Sequence, residues 1–284
     1  MALGGNPVFN GKNFRSATRG NQTAGLGTAT YAGQTMANQQ QLEHMYNQPS
    51  AGPAQTGRMT FDDVIVKTLL CLGVVLLGAA VPAFLVPGLA LPLMVVGALG
   101  GFVLGLVNSF KREPSPALIL AYAGLEGLFV GGITMFLESM FPGIAMQAVL
   151  GTLVVFGVTL ALFKSGKVRA TPRAMKFFMI AMISYAAFSL LNLGLMVFGV
   201  NDDPWGLRGA DFLGTGIPFG VVIGVFAIGL AAFSLIIDFT SISEGVRQGA
   251  PQKYSWTAAF GLTVTLVWLY VEILRLLAIL RGDD

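Results

Sequence analysis

Residues 257–280 read TAAFGLTVTLVWLYVEILRLLAIL, and residues 219–238 read FGVVIGVFAIGLAAFSLIID. Each stretch reaches the length of roughly 20 apolar residues with which a helix crosses about 30 Å of hydrocarbon. Each also carries a carboxylate, because Asp238 ends one stretch and Glu272 interrupts the other. An ionisable group inside a membrane helix is costly, and it marks a candidate functional site. Since a short polar segment joins the two stretches, we expect their helices to be neighbours.

The composition of the whole chain is that of a helical membrane protein. Hydrophobic residues make up 54% and charged residues 11% of the 284 residues, whereas a soluble domain is about one quarter charged. The sequence predicts an all-α polytopic membrane protein, a seven-transmembrane-helix bundle that occupies residues 58–284. The predicted spans are 64–86, 90–110, 116–137, 143–163, 174–200, 216–238 and 254–281.

Residues 1–57 have a different character from the rest of the chain. Gly, Asn and Gln are frequent there, and the apolar residues follow no helical or strand period. Such a segment buries too little apolar surface to offset the entropy that ordering would cost. We therefore predict a disordered cytoplasmic tail over residues 1–57.

The positions of the basic residues predict the orientation in the membrane. Lys and Arg occur in the tail and in the connections after the second, fourth and sixth predicted spans, while the first and third connections have none. Because loops rich in Lys and Arg remain in the cytoplasm, we expect a cytoplasmic N-terminus and, with seven spans, an external C-terminus. The expected location is the plasma membrane, with the lipid bilayer as a partner and no nucleic-acid partner.

Glycine repeats every fourth residue in several of the predicted spans. Small residues at this spacing let two helix backbones approach closely, so we interpret the repeats as packing faces. They comprise Gly97, Gly101 and Gly105 in the second span, Gly127 and Gly131 in the third, and Gly216, Gly220 and Gly224 in the sixth.

Polar residues accompany both acids of the last two spans. Ser234 lies four residues before Asp238 and Arg275 three residues after Glu272, so each pair shares one helix face. Arg275 can form an ion pair with Glu272 and hold it ionised. A purely structural role is also open for each acid: Asp238 as a residue at the water boundary, and Glu272 as half of a salt bridge.

Two other spans carry polar side chains that need partners. Glu126 stands near the middle of the third span, where it is either functional or a protonated acid bonded to a neighbouring helix. Tyr185, Ser189 and Asn192 form a polar stripe on the fifth span, at spacings of four and three residues. In a compact bundle this stripe would face inward.

A close pair of carboxylates has specific chemistry. Two such groups within a few Å cannot both ionise cheaply in a low dielectric, so they share a proton and respond to pH. Carboxylates also bind Ca²⁺, which prefers about six to eight oxygen ligands, so Asp238 and Glu272 alone would hold it only weakly and transiently. If both arms of the last hairpin start level, Glu272 lies deeper than Asp238 by roughly 10 Å.

Several classes of activity find no support in the sequence. The single histidine is His44 and the single cysteine is Cys71, which leaves the spans without a His-based metal site or a Ser-His-Asp triad. The seventh span has no lysine for a retinal Schiff base, and the spans lack the GxGD motif of intramembrane aspartyl proteases. We expect no enzyme and no cofactor apart from transient Ca²⁺.

The C-terminal third resembles the Bax inhibitor-1 family of seven-helix membrane proteins. FSLIIDFTSI around Asp238 and WLYVEILRLLAIL around Glu272 carry the resemblance, with GLFVGGIT of the third span in support. The stretches RMTFDDVIVKT and EGVRQGAPQKYSWTAAFGLTVTLVWLY are similar to an actinobacterial-type branch. The resemblance implies a bundle around a central seventh helix and a pH-sensitive calcium leak. It also implies a gating pair formed by an acid of the sixth helix, matched by Asp238, and one of the seventh, matched by Glu272 in place of the usual Asp.

Two functions follow as alternatives. The first is a calcium (cation) leak channel that responds to protons through an Asp238–Glu272 pair, with Arg275, Glu126, Ser234 and Asn192 as modulating residues. The second is a non-conducting integral membrane regulator of stress response or of membrane-protein quality control, which acts through a membrane-protein partner.

Overall fold

The computed structural model describes residues 57–166, 168, 170–200, 203 and 205–282. The tail predicted at residues 1–57 therefore lies outside the described residues, except for Gly57. Within the described part, seven helices are long and apolar enough to cross a membrane, as predicted. They are α1 (Phe61–Ala80), which continues as a π-helical turn at Val81–Leu85, α2 (Ala90–Phe110), α3 (Pro116–Met140), α4 (Ile144–Lys164), α5 (Pro172–Val197), α6 (Phe219–Arg247) and α7 (Ser255–Gly282).

The sixth helix differs from the predicted span at both ends. It continues nine residues beyond Asp238, to Arg247, because Phe239 and Ile242 keep an apolar face that packs in the core. At its start, Gly216 lies in the preceding loop with a φ of +75°, so it does not belong to the helix face of Gly220 and Gly224. Asp238, which ends the predicted span, therefore lies in the interior of a longer helix.

Helix α7 is the centre of the bundle. It packs against α1, α3, α4 and α6. Its buried residues point in every direction around the helix axis rather than along one stripe. This arrangement confirms the central C-terminal helix, and it keeps the polar side chains of α7 away from lipid.

Glycines bring α1, α2 and α3 into close contact. A Cβ at Gly97 would lie 2.6 Å from the carbonyl oxygen of Leu125, and a Cβ at Gly131 would lie 2.7 Å from the Cα of Ala79. Real Cβ atoms do not approach backbone so closely, so these positions admit only glycine at the observed helix separation. The glycine repeats of α2 and α3 are packing faces, as predicted.

A backbone hydrogen bond and an ion pair join the segment at the start of α7 to two other parts of the fold. The amide of Met59, just before α1, donates to the carbonyl of Ala250 at 2.7 Å. Lys253 forms an ion pair of 2.8 Å with Glu113 of the α2–α3 connection, and this contact lowers the pKa of the Glu113 carboxyl. The axial position of α7 is therefore set by contacts at the end of the bundle where the basic loops lie. We call this end the basic end.

Candidate functional site

A stripe of polar side chains runs along one face of α7. Thr265, Trp268, Glu272 and Arg275 follow each other at spacings of three, four and three residues, which is the spacing of a single helix face. Side chains from α5, α6 and the α5–α6 loop bind this stripe. They do so in two separate clusters.

The first cluster, which we call the acid–hydroxyl cluster, consists of Asp238, Thr265 and Ser234. The hydroxyl of Thr265 donates to Oδ2 of Asp238 at 2.7 Å, and the hydroxyls of Thr265 and Ser234 lie 3.4 Å apart. Gly261 of α7 is also adjacent, since a Cβ there would be 3.6 Å from Oδ1 of Asp238. Asp238 lies nine residues before the end of α6, about 13 Å from the basic end. Among the described residues, no lysine or arginine is paired with it.

The second cluster, the arginine cluster, surrounds the carboxylate of Glu272, which is 2% exposed. Arg275 donates to Oε1 of Glu272 at 3.0 Å, and the Nη1 atom of Arg208 lies 3.8 Å from Oε2. The indole of Trp268 donates to Oε1 at 3.2 Å, and the hydroxyl of Tyr185 donates to the same oxygen. The predicted ion pair of Glu272 with Arg275 is thus formed.

Arg208 enters the arginine cluster from the loop between α5 and α6. Its Nη2 atom donates to the hydroxyls of Tyr185 at 3.1 Å and Ser189 at 3.0 Å, and its guanidinium lies over the rings of Tyr185 and Phe188. Two guanidinium groups therefore face the single carboxylate of Glu272, and the cluster has a formal excess of one positive charge.

The expected pair of Asp238 with Glu272 is not formed. Asp238 binds Thr265, and Glu272 lies seven residues further along α7, about 10 Å along the helix axis. The physical reason is the axial position of α7: its start is held at the basic end, and α6 continues nine residues past Asp238. Each acid therefore has its own set of hydrogen-bond partners, and the two carboxyl groups are not in contact with each other.

Because of the same separation, Asp238 and Glu272 do not form the expected joint calcium site. Asp238 and Glu272 do not face one space, and among the described residues no three Asp, Glu, His or Cys side chains come together as a metal site. A Ca²⁺ ion prefers about six to eight oxygens. Each acid can therefore contribute to the passage of a cation only as a single carboxylate.

Glu126 lies apart from both clusters, at the contact between α2 and α3. Its carboxyl is partly buried against Gly101, where a Cβ would be 2.6 Å from Oε2. The glycine of α2 thus provides the space that this carboxyl occupies.

Asn192, by contrast, supports the arginine cluster indirectly. Its side-chain oxygen accepts from the amide of Leu207 at 2.6 Å, and its side-chain nitrogen donates to the carbonyl of Trp205 at 3.2 Å. It therefore holds the 3₁₀ turn Gly206–Arg208 against α5. The polar stripe of α5 faces inward, as predicted, and Asn192 reaches the carboxylate of Glu272 only through Arg208.

Sequence reasoning missed two residues of these clusters. Thr265 was not distinguished from the other hydroxyl residues of α7, although it lies seven residues before Glu272 on the same face. Arg208 belongs to the fifth connection, which also carries three aspartates, and the pattern of basic loops gave it no role. Its position directly after the apolar sequence Trp205-Gly206-Leu207 was the available signal that the loop folds back onto the helices.

Comparison with known proteins gives one match. The family model described as "Bax inhibitor 1 like" matches residues 6–282, almost the full length of the chain. A search of curated proteins finds no match.

Proposed function

The chain belongs to the Bax inhibitor 1 like family of membrane proteins, and from this premise we propose that it is a pH-sensitive cation leak pathway of the cell membrane, with Ca²⁺ as the permeant ion. Cations enter from the basic end and follow the polar stripe of α7. Asp238 is the proton-sensitive group on this route, and the arginine cluster closes it in the state described.

The state of Asp238 is the observation that carries this proposal. Its carboxyl lies within the sixth span and accepts a hydrogen bond from the neutral hydroxyl of Thr265. A carboxyl with neutral partners can exist in two forms, because protonation makes it neutral and ionisation makes it attract a cation. Glu272 differs, since the guanidinium groups of Arg208 and Arg275 compensate its charge. We therefore assign proton sensing to Asp238 alone rather than to a pair of acids.

An Asp238→Asn variant tests this assignment. Asparagine keeps the size of the side chain and the hydrogen bond to Thr265, but it removes the charge and the titration. We expect calcium flux into proteoliposomes to fall by about ten-fold, which corresponds to 1.4 kcal/mol at the barrier. We also expect the residual flux to be independent of pH between 6 and 8.

The matched control is Glu244→Gln, which changes a carboxylate to an amide at an exposed position near the end of the same helix α6. It should leave both the flux and its pH profile at the level of the unmodified protein. If Asp238→Asn retains the original pH profile, Asp238 is not the sensor and the assignment fails.

The orientation that this proposal needs is that of the basic-loop pattern. The basic end faces the cytoplasm, and the C-terminus of α7 lies outside. Alkaline phosphatase fused after Gly282 should be active, because it folds only outside the cytoplasm, and a fluorescent protein fused at the N-terminus should fluoresce. If a phosphatase fused after Gly282 is inactive and a fluorescent protein at the same position fluoresces, the C-terminus is cytoplasmic and the orientation is opposite to the one proposed.

A second candidate function, the non-conducting regulator of stress response or membrane-protein quality control, is favoured by two features. The excess positive charge of the arginine cluster opposes the passage of any cation. A cavity of about 990 Å³ also opens between α1 and α4, and side chains of α7 such as Leu266 and Tyr270 line it, so a membrane-protein partner could contact the central helix there. Absence of flux at every pH, together with a stoichiometric partner in a detergent pull-down, would favour this function.

A further inference from the structure

The loop between α5 and α6 carries a charged side chain deep into the bundle. Arg208 is 4% exposed, although it belongs to a connection rather than to a spanning helix. Burying a guanidinium is costly unless charged and polar groups compensate it. Glu272 and the hydroxyls of Tyr185 and Ser189 supply this compensation for Arg208.

Several contacts hold the loop in place. Asn192 binds Leu207 within the 3₁₀ turn and Trp205 just before it. Gly206 has a φ of +62°, a conformation that other residues rarely adopt. The turn also packs against the start of α6 at Gly220. A Cβ on Gly220 would be 2.9 Å from the carbonyl oxygen of Arg208, so a larger residue there would push the turn away.

The contact of Arg208 with Glu272 is nevertheless incomplete. Nη1 of Arg208 and Oε2 of Glu272 are 3.8 Å apart, and among the described residues neither buried atom has a hydrogen-bond partner. The attraction is therefore one of charge alone, beyond hydrogen-bond distance. Arg275, in contrast, is hydrogen-bonded to Glu272 and belongs to the same helix. Of the two arginines, only Arg208 can leave by a movement of a loop.

The groups around the Arg208 guanidinium have the chemistry of a cation site. The carboxylate oxygen Oε2 of Glu272 faces it, and the hydroxyl oxygens of Tyr185 and Ser189 accept its hydrogen bonds. A carboxylate oxygen is a ligand of hard cations such as Ca²⁺, and the two hydroxyls add neutral oxygen atoms beside it. With Arg208 withdrawn, the formal charge of Glu272 and Arg275 together is zero, and the excess positive charge is removed.

We infer that Glu272, Tyr185 and Ser189 form a cation site that Arg208 occupies as a tethered blocking cation. The turn Gly206–Arg208 is then an autoinhibitory plug, and its withdrawal opens the route past Glu272 to cations. This inference rests on the proposed leak pathway, and it adds a second site on that pathway, separate from Asp238.

Removal of the tethered cation tests the inference by flux. The Arg208→Ala variant is expected to raise calcium flux in proteoliposomes by about ten-fold. Ethylguanidinium added on the side of the α5–α6 loop should fill the vacated space and restore the low flux, whereas tetramethylammonium at the same concentration should not. If the alanine variant does not fold, Arg208→Gln takes its place. Glutamine can still bond to the hydroxyls of Tyr185 and Ser189, and because it carries no charge it should also raise the calcium flux.

The matched control for this experiment is Arg281→Gln. Arg281 lies near the end of the same helix α7 and donates to the carbonyls of Phe141 and Pro142, away from the arginine cluster. Its replacement should leave flux unchanged. An increase of the same size in the Arg281 variant, or an increase in the Arg208 variant that ethylguanidinium does not reverse, would mean general loosening of the bundle and would overturn the inference.

A second measurement is independent of flux. In a Cys71→Ala background, which removes the single cysteine, Ser189→Cys is exposed to a membrane-impermeant cationic thiosulfonate reagent. The plug predicts labelling at least about ten-fold faster when Arg208→Ala is added, because a neighbouring fixed cation no longer repels the reagent or fills the space. Equal labelling rates with and without Arg208 would overturn the plug. If labelling accelerates while no variant shows flux, the plug stands and the proposed leak function fails.

Discussion

The Glu272→Gln variant is expected to have a free energy of unfolding about 3–5 kcal/mol lower than that of the unmodified protein, the usual effect of removing one member of a buried ion pair. Glutamine preserves the shape of the side chain and can still accept hydrogen bonds from Tyr185 and Trp268. What it removes is the single negative charge that Arg208 and Arg275 both face. The lower free energy of unfolding therefore reflects the cost of burying two guanidinium groups without a counter-charge, rather than the loss of one hydrogen bond.

Unfolding in mixed detergent micelles, followed by tryptophan fluorescence, measures this effect, because Trp268 is hydrogen-bonded to Glu272. Glu244→Gln is the matched control, since Glu244 pairs with Arg247 at the same three-residue spacing but in an exposed position. It should leave the stability almost unchanged, as is typical of exposed ion pairs. Equal stability of the two variants would mean that Glu272 is protonated in the folded protein and forms no ion pair.

A double variant separates charge from packing in the same cluster. Glu272→Leu combined with Arg208→Met removes one charge of each sign and leaves Arg275, which at 27% side-chain exposure can reach water. Apolar replacement of a whole buried ion pair is often close to neutral. The double variant should therefore be more stable than Glu272→Gln alone, although it changes more atoms.

The second large effect is expected from Gly127→Ala, in the contact between α1 and α3. The added Cβ would lie 2.8 Å from the Cα of Gly78 and 3.0 Å from the amide nitrogen of Ala79. Both are backbone atoms that cannot rotate away, so the two helices must separate and lose contact along their length. We expect a loss of about 3 kcal/mol in the free energy of unfolding, at the upper end for overpacked positions.

The control for this substitution is Gly157→Ala on α4. Gly157 is exposed, and a Cβ there meets nothing within 4 Å. Because alanine favours a helix by up to about 1 kcal/mol over glycine, this variant should be as stable as the unmodified protein or slightly more stable. If Gly127→Ala behaves like Gly157→Ala in the same detergent unfolding experiment, the α1–α3 contact does not depend on glycine.

The arginine cluster changes the role that we assign to Glu272. An acid in the middle of a span suggests proton sensing, but the carboxylate of Glu272 faces two arginines that compensate its charge. Asp238 has a hydroxyl as its partner, and this difference is the reason why the proposal assigns proton sensing to Asp238. The two acids that look alike in the sequence therefore have different roles in the proposed leak pathway.

The sequence by itself determined the seven spans, the glycine packing faces of α2 and α3, and the position of Glu272 and Arg275 on one face of α7. These features depend on hydropathy, on small side chains and on helical periodicity, which are properties of residues close together in the chain. The ion pair of Glu272 with Arg275 belongs to the same group, because three residues separate its members on one helix.

The tertiary structure alone decided which groups meet across helices. Asp238 meets Thr265 instead of Glu272 because the start of α7 is bound to the segment before α1 and to the α2–α3 connection. Arg208 meets Glu272 because a glycine turn and Asn192 fold the loop back onto α5. Helix lengths alone give an offset of roughly 10 Å between the two acids only if both arms of the last hairpin start level. Contacts between distant parts of the chain decide where each helix starts and how it is rotated.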